Sequence, residues 1–212
     1  MTVVLVAILQ VVELPFAFYQ GHLLEHHYGL STQSTRHWFA DHIKGVALGS
    51  ALAAAGASVV YFALQRAPDD WWWISAGVFA LATVLLARIA PVVLLPIFYK
   101  FKPLDRPALV DRLMGLATRA STDVVGVFEW VLSGHTKKAN AALAGMGRTR
   151  RILLSDTLLA DYSEDEIEVI LAHELAHHVH RDMWRGIAVQ SLILAGGFFA
   201  ANIVLRAAAD RL

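Results

Sequence analysis

Two histidines and a glutamate have the residue types and the spacing of a metal-dependent hydrolytic site. His173, Glu174 and His177 form the pattern His-Glu-x-x-His. On an α-helix, His173 and His177 lie one turn apart on the same face, so both imidazoles can reach one metal ion. Glu174 is displaced about 100° around the helix, beside the position of a water molecule on that ion. The pattern therefore favours one zinc ion held by His173 and His177, with Glu174 as the general base.

The residues around this pattern are typical of a capped helix. Ser163 is followed three residues later by Glu166, which is the spacing of a capping box. Apolar Leu171 and Val179 flank the two histidines, and we predict one helix over residues 164–183. The simpler alternative is that the two histidines are ordinary polar residues of an amphipathic helix. The capped, periodic context favours the metal site.

The composition indicates a membrane protein. Of 212 residues, 57% are hydrophobic and 17% are charged, which is too apolar for an ordinary soluble domain. The 18 basic and 18 acidic residues give a net charge of zero, so no overall positive field favours a nucleic-acid partner. The absence of cysteine excludes disulfides and cysteine-ligated metal.

Four apolar stretches are long enough to cross a bilayer as helices. We predict membrane spans at about 1–19, 45–64 and 71–96, and a fourth within 185–212, where the chain stops. A polar loop at 21–44 separates the first two spans. The predicted fold class is therefore a predominantly α-helical, multi-pass integral membrane protein with about four transmembrane helices.

The polar loop contains five histidines whose spacing matches no zinc-ligand template. They are His22, His26, His27, His37 and His42. We interpret them as solvated or interfacial residues, and a second zinc site is the alternative.

Residues 97–184 are the only stretch polar enough to form a water-exposed domain. Basic residues at both membrane ends of this stretch predict a cytoplasmic location. We predict a small α+β domain with the following elements: a helix over 107–120, a strand over 124–132, a loop over 134–148 and a short strand over 151–154.

Three segments, in this order, resemble the type I CAAX prenyl proteases, which are integral-membrane zinc metallopeptidases of the gluzincin kind. Residues 13–45 are similar to the first loop of that family, with its Leu-Pro and Trp-Phe-Ala-Asp elements. Residues 136–159 resemble the segment before the active helix, and residues 167–182 resemble the active helix itself. The resemblance implies a zincin-like catalytic domain at 97–184.

The resemblance also implies roles for further residues. His173 and His177 would be zinc ligands, with Glu174 as the catalytic base. Asn140 would lie by the substrate cleft, although its residue type alone suggests a local turn. An edge strand formed by Ile152, Leu153 and Leu154 would bind an extended peptide by backbone pairing.

The substrate implied by the resemblance is a prenylated C-terminal CAAX peptide or a membrane-associated polypeptide. The bilayer is the other implied partner. The sequence predicts no nucleic-acid partner and does not determine the oligomeric state.

The sequence departs from the family pattern after the active helix. In the family, the third zinc ligand is a glutamate on a later helix. The acids after His177 here are Asp182 and Asp210, and neither fits that role. His180 lies about 10 Å along the helix from His173, too far to share one tetrahedral ion. We therefore expect a piece of a longer protease or a shortened product. The alternatives are a non-catalytic scaffold or chaperone that retains the fold, and an inactive fragment.

Overall fold

Long helices and one small sheet make up residues 2–210, which are the residues described by the computed structural model. The helices are α1 (Thr2–Phe18), α2 (Glu25–His27), α3 (Thr35–Arg66), α4 (Trp71–Ile89), α5 (Leu95–Phe98), α6 (Pro107–Arg119), α7 (Asp156–Asp161), α8 (Glu164–Val179) and α9 (Asp182–Ala209). The strands are β1 (Lys100–Pro103), β2 (Val127–Val131), β3 (Ala141–Ala144) and β4 (Arg151–Ser155).

Three helical stretches within residues 2–210 are long and apolar enough to cross a membrane. They are Thr35–Arg66, Trp71–Phe98 and Asp182–Ala209. The second of these is α4 joined to α5 through a π-helical turn, Ala90–Leu94. Pro91 lies in that turn and has no backbone N–H to donate, which accounts for the local departure from α-helix. The predicted class, a helical membrane protein with a small α+β domain, is confirmed.

The first predicted span, 1–19, forms α1 from Thr2 onward, and Met1 lies outside the described residues. At 17 residues this helix is about 25 Å long, at the short end of the range that crosses a bilayer. The fourth predicted span corresponds to α9, and residues 211–212 lie outside the described part.

The predicted polar loop at 21–44 is wrong for most of its length. Helical structure continues past Phe18 through a π-helical turn, Tyr19–Leu24, into α2. Helix α3 already begins at Thr35, where the Ser34 hydroxyl caps it by accepting from the His37 amide. Polar residues in this region therefore do not indicate where the helices end.

The sheet has the strand order β1-β2-β4-β3. Strands β2 and β4 are parallel, whereas β1 pairs antiparallel with β2 and β3 pairs antiparallel with β4. Two of these strands were not predicted. Strand β1 lies in a basic segment, and β3 has the sequence Ala-Ala-Leu-Ala within the predicted loop 134–148. Alanine has low strand propensity, so pairing with β4 determines the conformation of β3.

Helices α6 and α8 cover the sheet with leucine-rich faces. Leu109 and Leu113 on α6, and Ile167 and Leu171 on α8, are fully buried in one core with the sheet residue Ile152. The burial of each such side chain stabilises the folded state by roughly 1.5–3 kcal/mol.

An ion-pair cluster on the surface fixes the same helix pair. Arg112 of α6 lies 2.6 Å from both Asp165 and Glu168 of α8, and Arg119 also contacts Glu168. Because the apolar face of α8 is held against α6 and the sheet, the opposite face of α8 is left open.

Candidate active site

Helix α8 begins with the predicted capping box. The Ser163 hydroxyl accepts from the Glu166 amide, and the Glu166 carboxylate accepts from the Ser163 amide at 2.8 Å. These bonds satisfy two amides that a helix start would otherwise leave unpaired. Donation from the Ser163 hydroxyl at 2.7 Å, together with donation from the Ser163 amide, holds the pKa of the Glu166 carboxyl below its usual range.

The predicted helix 164–183 is wrong at its C-terminal end. Helix α8 ends at Val179, and Arg181 adopts the left-handed conformation with φ of 58°. The amides of His180 and Arg181 close the last turn on the carbonyls of Ala176 and His178. A new helix, α9, then begins at Asp182.

The two histidines of the pattern share the open face of α8. The ring centroids of His173 and His177 are 4.8 Å apart, with the ring planes at 82°. Both side chains are exposed and Glu174 is half-buried, whereas Leu171 and Leu175 point into the core. The helical period thus places the two histidines on one face of α8 and the packing leucines on another.

The carboxylate of Asp182 holds one of these rings. Nδ1 of His177 lies 2.8 Å from Oδ2 of Asp182. This hydrogen bond, with the negative charges of Asp182 and Glu174, raises the pKa of His177 above its usual value. A neutral imidazole that donates from Nδ1 has its lone pair on Nε2, where a metal can bind.

These residues fit two of the protein ligands of a divalent metal ion. His173 and His177 would hold the ion, and Glu174 is adjacent on the helix. Within residues 2–210 no cluster of three or more histidine, cysteine, aspartate or glutamate side chains has metal-binding geometry. A catalytic zinc site normally has three protein ligands, and the two histidines would supply two of them.

The edge strands of the sheet are β1 and β3, and the prediction that Ile152, Leu153 and Leu154 form an edge strand is wrong. These residues belong to β4, which pairs with β2 on one side and with β3 on the other. Their side chains are 0–2% exposed, so they form the core and cannot contact a peptide directly. Strand β3 packs against α8, and its outer edge pairs with no other strand among residues 2–210.

Asn140 immediately precedes this edge strand. Its side chain is exposed, and its backbone pairs with Ser155. A position beside the free edge of β3 is consistent with the role that the family resemblance implies for Asn140, and that role stays a prediction.

The segment before Asn140 is attached to the membrane part of the chain. Ser31 and Thr136 form a β-bridge, and the Lys137 amide donates to the Leu30 carbonyl at 2.8 Å. His135 also contacts Asp41 of α3 at 3.2 Å. These contacts position the start of β3 relative to the long helices.

The histidines of the predicted polar loop make local contacts. His22 is buried, and its Nε2 lies 2.9 Å from the Thr35 hydroxyl. His26 bonds to the His22 carbonyl through Nδ1.

Two family matches cover almost the whole chain. Residues 1–100 match the family described as CAAX prenyl protease N-terminal, five membrane helices, and residues 103–212 match Peptidase family M48.

Relatives from bacteria, fungi and plants show the same similarity. CAAX prenyl protease 1 of Saccharomyces cerevisiae is 32% identical over 78% of this chain and 37% of its own length. The Arabidopsis thaliana CAAX prenyl protease 1 homolog is 32% identical over 95% of this chain and 47% of its length. The uncharacterized metalloprotease YhfN of Bacillus subtilis is 30% identical over 86% of this chain and 43% of its length.

A solved structure has the same fold. The crystal structure of S. mikatae Ste24p superimposes with a TM-score of 0.81 at 27% identity, over 91% of this chain and 46% of that one. The chain thus spans less than half the length of these relatives. From the matched segments, the shared fold and the His-Glu-x-x-His helix, we conclude that the chain belongs to peptidase family M48, in the group of integral-membrane CAAX prenyl proteases.

Proposed function

We propose that this chain carries the catalytic helix and the substrate-binding edge of a zinc-dependent membrane endopeptidase. The observation that supports this most strongly is the open face of α8, where the rings of His173 and His177 are 4.8 Å apart with Glu174 between them in sequence. Strand β3 lies against the same helix with one free edge.

In this proposal His173 and His177 hold one zinc ion, and Glu174 transfers a proton from the attacking water to the leaving amine. When bound, zinc would supply Lewis acidity, which makes water a stronger acid and the scissile carbonyl a better electrophile. Glu174 takes one proton from the attacking water, and the water oxygen bonds to the carbonyl carbon. When the C–N bond breaks, Glu174 returns that proton to the leaving amine.

The free edge of β3 is proposed to hold the substrate in an extended conformation. Backbone N–H and C=O groups on the open side of Ala141–Ala144 can pair with a peptide as an added strand. Asn140, exposed at the start of this edge, is the proposed side-chain contact.

The proposed substrates are prenylated C-terminal CAAX peptides or membrane-associated polypeptides. Relatives named CAAX prenyl protease support the first class. Helix α9 begins three residues after α8 ends, so the site adjoins a candidate membrane span and an apolar tail could lie in the bilayer. Basic residues flanking 97–184 support a cytoplasmic orientation of the site.

The test is zinc content and peptidase activity of the complete reading frame in detergent, with a farnesylated CAAX peptide and an unfolded protein as substrates. We expect about one zinc per molecule, and loss of at least about 100-fold in cleavage rate for Glu174→Gln. Glu164→Gln, at the start of the same helix, is the matched control and should retain activity. Equal cleavage by Glu174→Gln would overturn the proposal.

A non-catalytic scaffold that retains the fold is the competing function. The observation in its favour is that residues 2–210 contain no three-ligand metal cluster. Zinc bound in the complete protein without cleavage of either substrate would favour the scaffold. Zinc-dependent cleavage that requires Glu174 would exclude it.

A further inference from the structure

We propose that Asp182 is a positioning residue for the metal ligand His177. Its carboxylate fixes the orientation and the tautomer of the imidazole, so that Nε2 presents its lone pair on the open face of α8. This inference rests on the proposed metal site and concerns a residue outside the His-Glu-x-x-His pattern.

The first observation is the hydrogen bond itself. Oδ2 of Asp182 lies 2.8 Å from Nδ1 of His177, and this is the only side-chain hydrogen bond of His177 within the described part of the chain. The other carboxylate oxygen lies 3.6 Å from Nη1 of Arg185. The Asp182 carboxylate thus has His177 on one side and Arg185 on the other. A metal-binding histidine commonly has a carboxylate partner of this kind.

The second observation is that the backbone must turn sharply to make this contact. On an unbroken helix, residues five apart are separated by about 140° around the axis and about 7.5 Å along it, so His177 and Asp182 would not meet. The left-handed conformation of Arg181, with φ of 58°, ends α8 and brings Asp182 back onto the ring.

This conformation is costly for a residue with a Cβ atom, by about 1–2 kcal/mol. Its persistence beside a metal ligand is consistent with a functional constraint.

The third observation is that Asp182 lies on a firmly anchored element. It is the first residue of α9, which packs along α4 over much of its length. Near the other end of α9, Asn202 accepts a buried hydrogen bond from Trp71 of α4 at 3.0 Å. A carboxylate on an anchored helix holds its partner ring more accurately than one on a mobile loop would.

A purely structural role for Asp182 makes a different prediction. An acidic residue in the first turn of a helix stabilises that helix through its dipole, so substitution would lower the melting temperature. It would leave the zinc affinity of the folded molecules unchanged. Zinc affinity of the folded protein therefore discriminates between the two roles.

The test measures the zinc affinity of the complete reading frame, the same protein that is used in the activity test, in detergent by competition with a fluorescent chelator. The variants are Asp182→Ala, Asp182→Asn and Asp182→Glu, and each is checked for folding by circular dichroism. Asp210→Asn at the far end of α9 is the matched control. For Asp182→Ala we expect zinc affinity about 10- to 100-fold weaker than wild type.

The two other variants separate charge from geometry. Asp182→Asn keeps an oxygen that can accept from Nδ1 and removes the charge, so we expect an intermediate loss of affinity. Asp182→Glu should bind zinc more tightly than Asp182→Ala, because it restores a carboxylate. The absorption spectrum of bound Co²⁺ should shift in Asp182→Ala and stay unchanged in Asp210→Asn.

Two different results would be negative, and they have different meanings. If wild type binds zinc and all three Asp182 variants bind within twofold of it, the positioning role is overturned and the metal site stands. If wild type itself binds no zinc, the proposed function fails and the positioning role fails with it.

Discussion

The buried hydroxyl of Ser155 joins the start of strand β3 to the start of helix α7. It accepts from the Asn140 amide at 2.8 Å and from the Leu158 amide at 3.1 Å. The Ser155 amide in turn donates to the Asn140 carbonyl at 2.9 Å. This reciprocal pair between Ser155 and Asn140 determines where the free edge begins.

Replacing Ser155 by alanine should destabilise the domain by about 1–3 kcal/mol. The substitution leaves the amides of Asn140 and Leu158 without their acceptor and removes the cap of α7. The measurement is the midpoint of thermal unfolding in detergent. Ser58→Ala is the control, because the exposed Ser58 hydroxyl bonds only within its own helix. Equal unfolding midpoints for the two variants would contradict the assigned role of Ser155.

Asp156 should make the free energy of unfolding of the domain that contains the sheet depend on pH. Burial raises the pKa of its carboxyl, but donation from the Ser133 hydroxyl and from the amides of Leu132, Ser133 and Thr157 outweighs burial, so the pKa lies below its usual value. The charged form therefore stabilises the folded state. This contribution is complete above the unfolded pKa of about 3.9 and is lost as pH falls through the lower folded value.

The corresponding experiment compares wild type with Asp156→Asn from pH 6 to pH 3. We expect a lower unfolding midpoint for the variant at pH 6 and a difference that shrinks below about pH 4. Asp161→Asn, at an exposed position of the same helix, should behave like wild type throughout. A difference that is constant with pH would show that the Asp156 charge is not the source of the stabilisation.

Local sequence spacing was sufficient to predict the arrangement of the two histidines and the start of the helix that carries them. The one-turn separation of His173 and His177 and the capping box at Ser163 depend only on helix geometry, and both are present. Composition was likewise sufficient to predict helices of membrane-spanning length, because the bilayer imposes a minimum apolar length.

The features that depend on distant contacts were not predictable from spacing. Strand β3 forms because β4 lies beside it, since its alanines have no strand preference. The Asp182 contact requires the left-handed turn at Arg181, and arginine carries no signal for that conformation. The same limitation explains why Ile152–Leu154 was wrongly predicted to be an edge strand. A β-branched and leucine-rich segment is typical of central strands and of edge strands alike.

Close packing of α3 against α4 should depend on Gly56. A Cβ atom at this position would lie 2.9 Å from Cζ of Phe79, which itself packs against Phe198 of α9 with ring centroids 5.4 Å apart. Gly56→Leu should therefore displace Phe79 and lower stability by about 1–3 kcal/mol. Gly49→Leu is the matched control on the same helix, where a Cβ meets nothing within 4 Å.

The two glycine variants gain the same helix propensity, so the difference between their unfolding midpoints reports packing alone. If Gly56→Leu melted no lower than Gly49→Leu, the small residue would not be required for the approach of the two helices.

The hydrogen bond between Trp71 and Asn202 should couple α4 and α9 energetically. Nε1 of Trp71 donates to Oδ1 of Asn202 at 3.0 Å, and the two side chains are 4% and 6% exposed. Arg206 donates to the same oxygen and also to Asp69. Trp71→Phe removes one donor and retains most of the ring, whereas Asn202→Leu removes the shared acceptor.

A double-mutant cycle with these two substitutions measures the coupling directly. We expect a coupling free energy of about 0.6–2 kcal/mol for a buried interhelical bond in an apolar environment. The measurement is equilibrium unfolding of the four proteins in mixed micelles. Strictly additive effects on the free energy of unfolding would mean that the two side chains act independently. The two helices would then be joined by the packing of Trp71 and Phe198, whose rings meet edge to face, and not by this hydrogen bond.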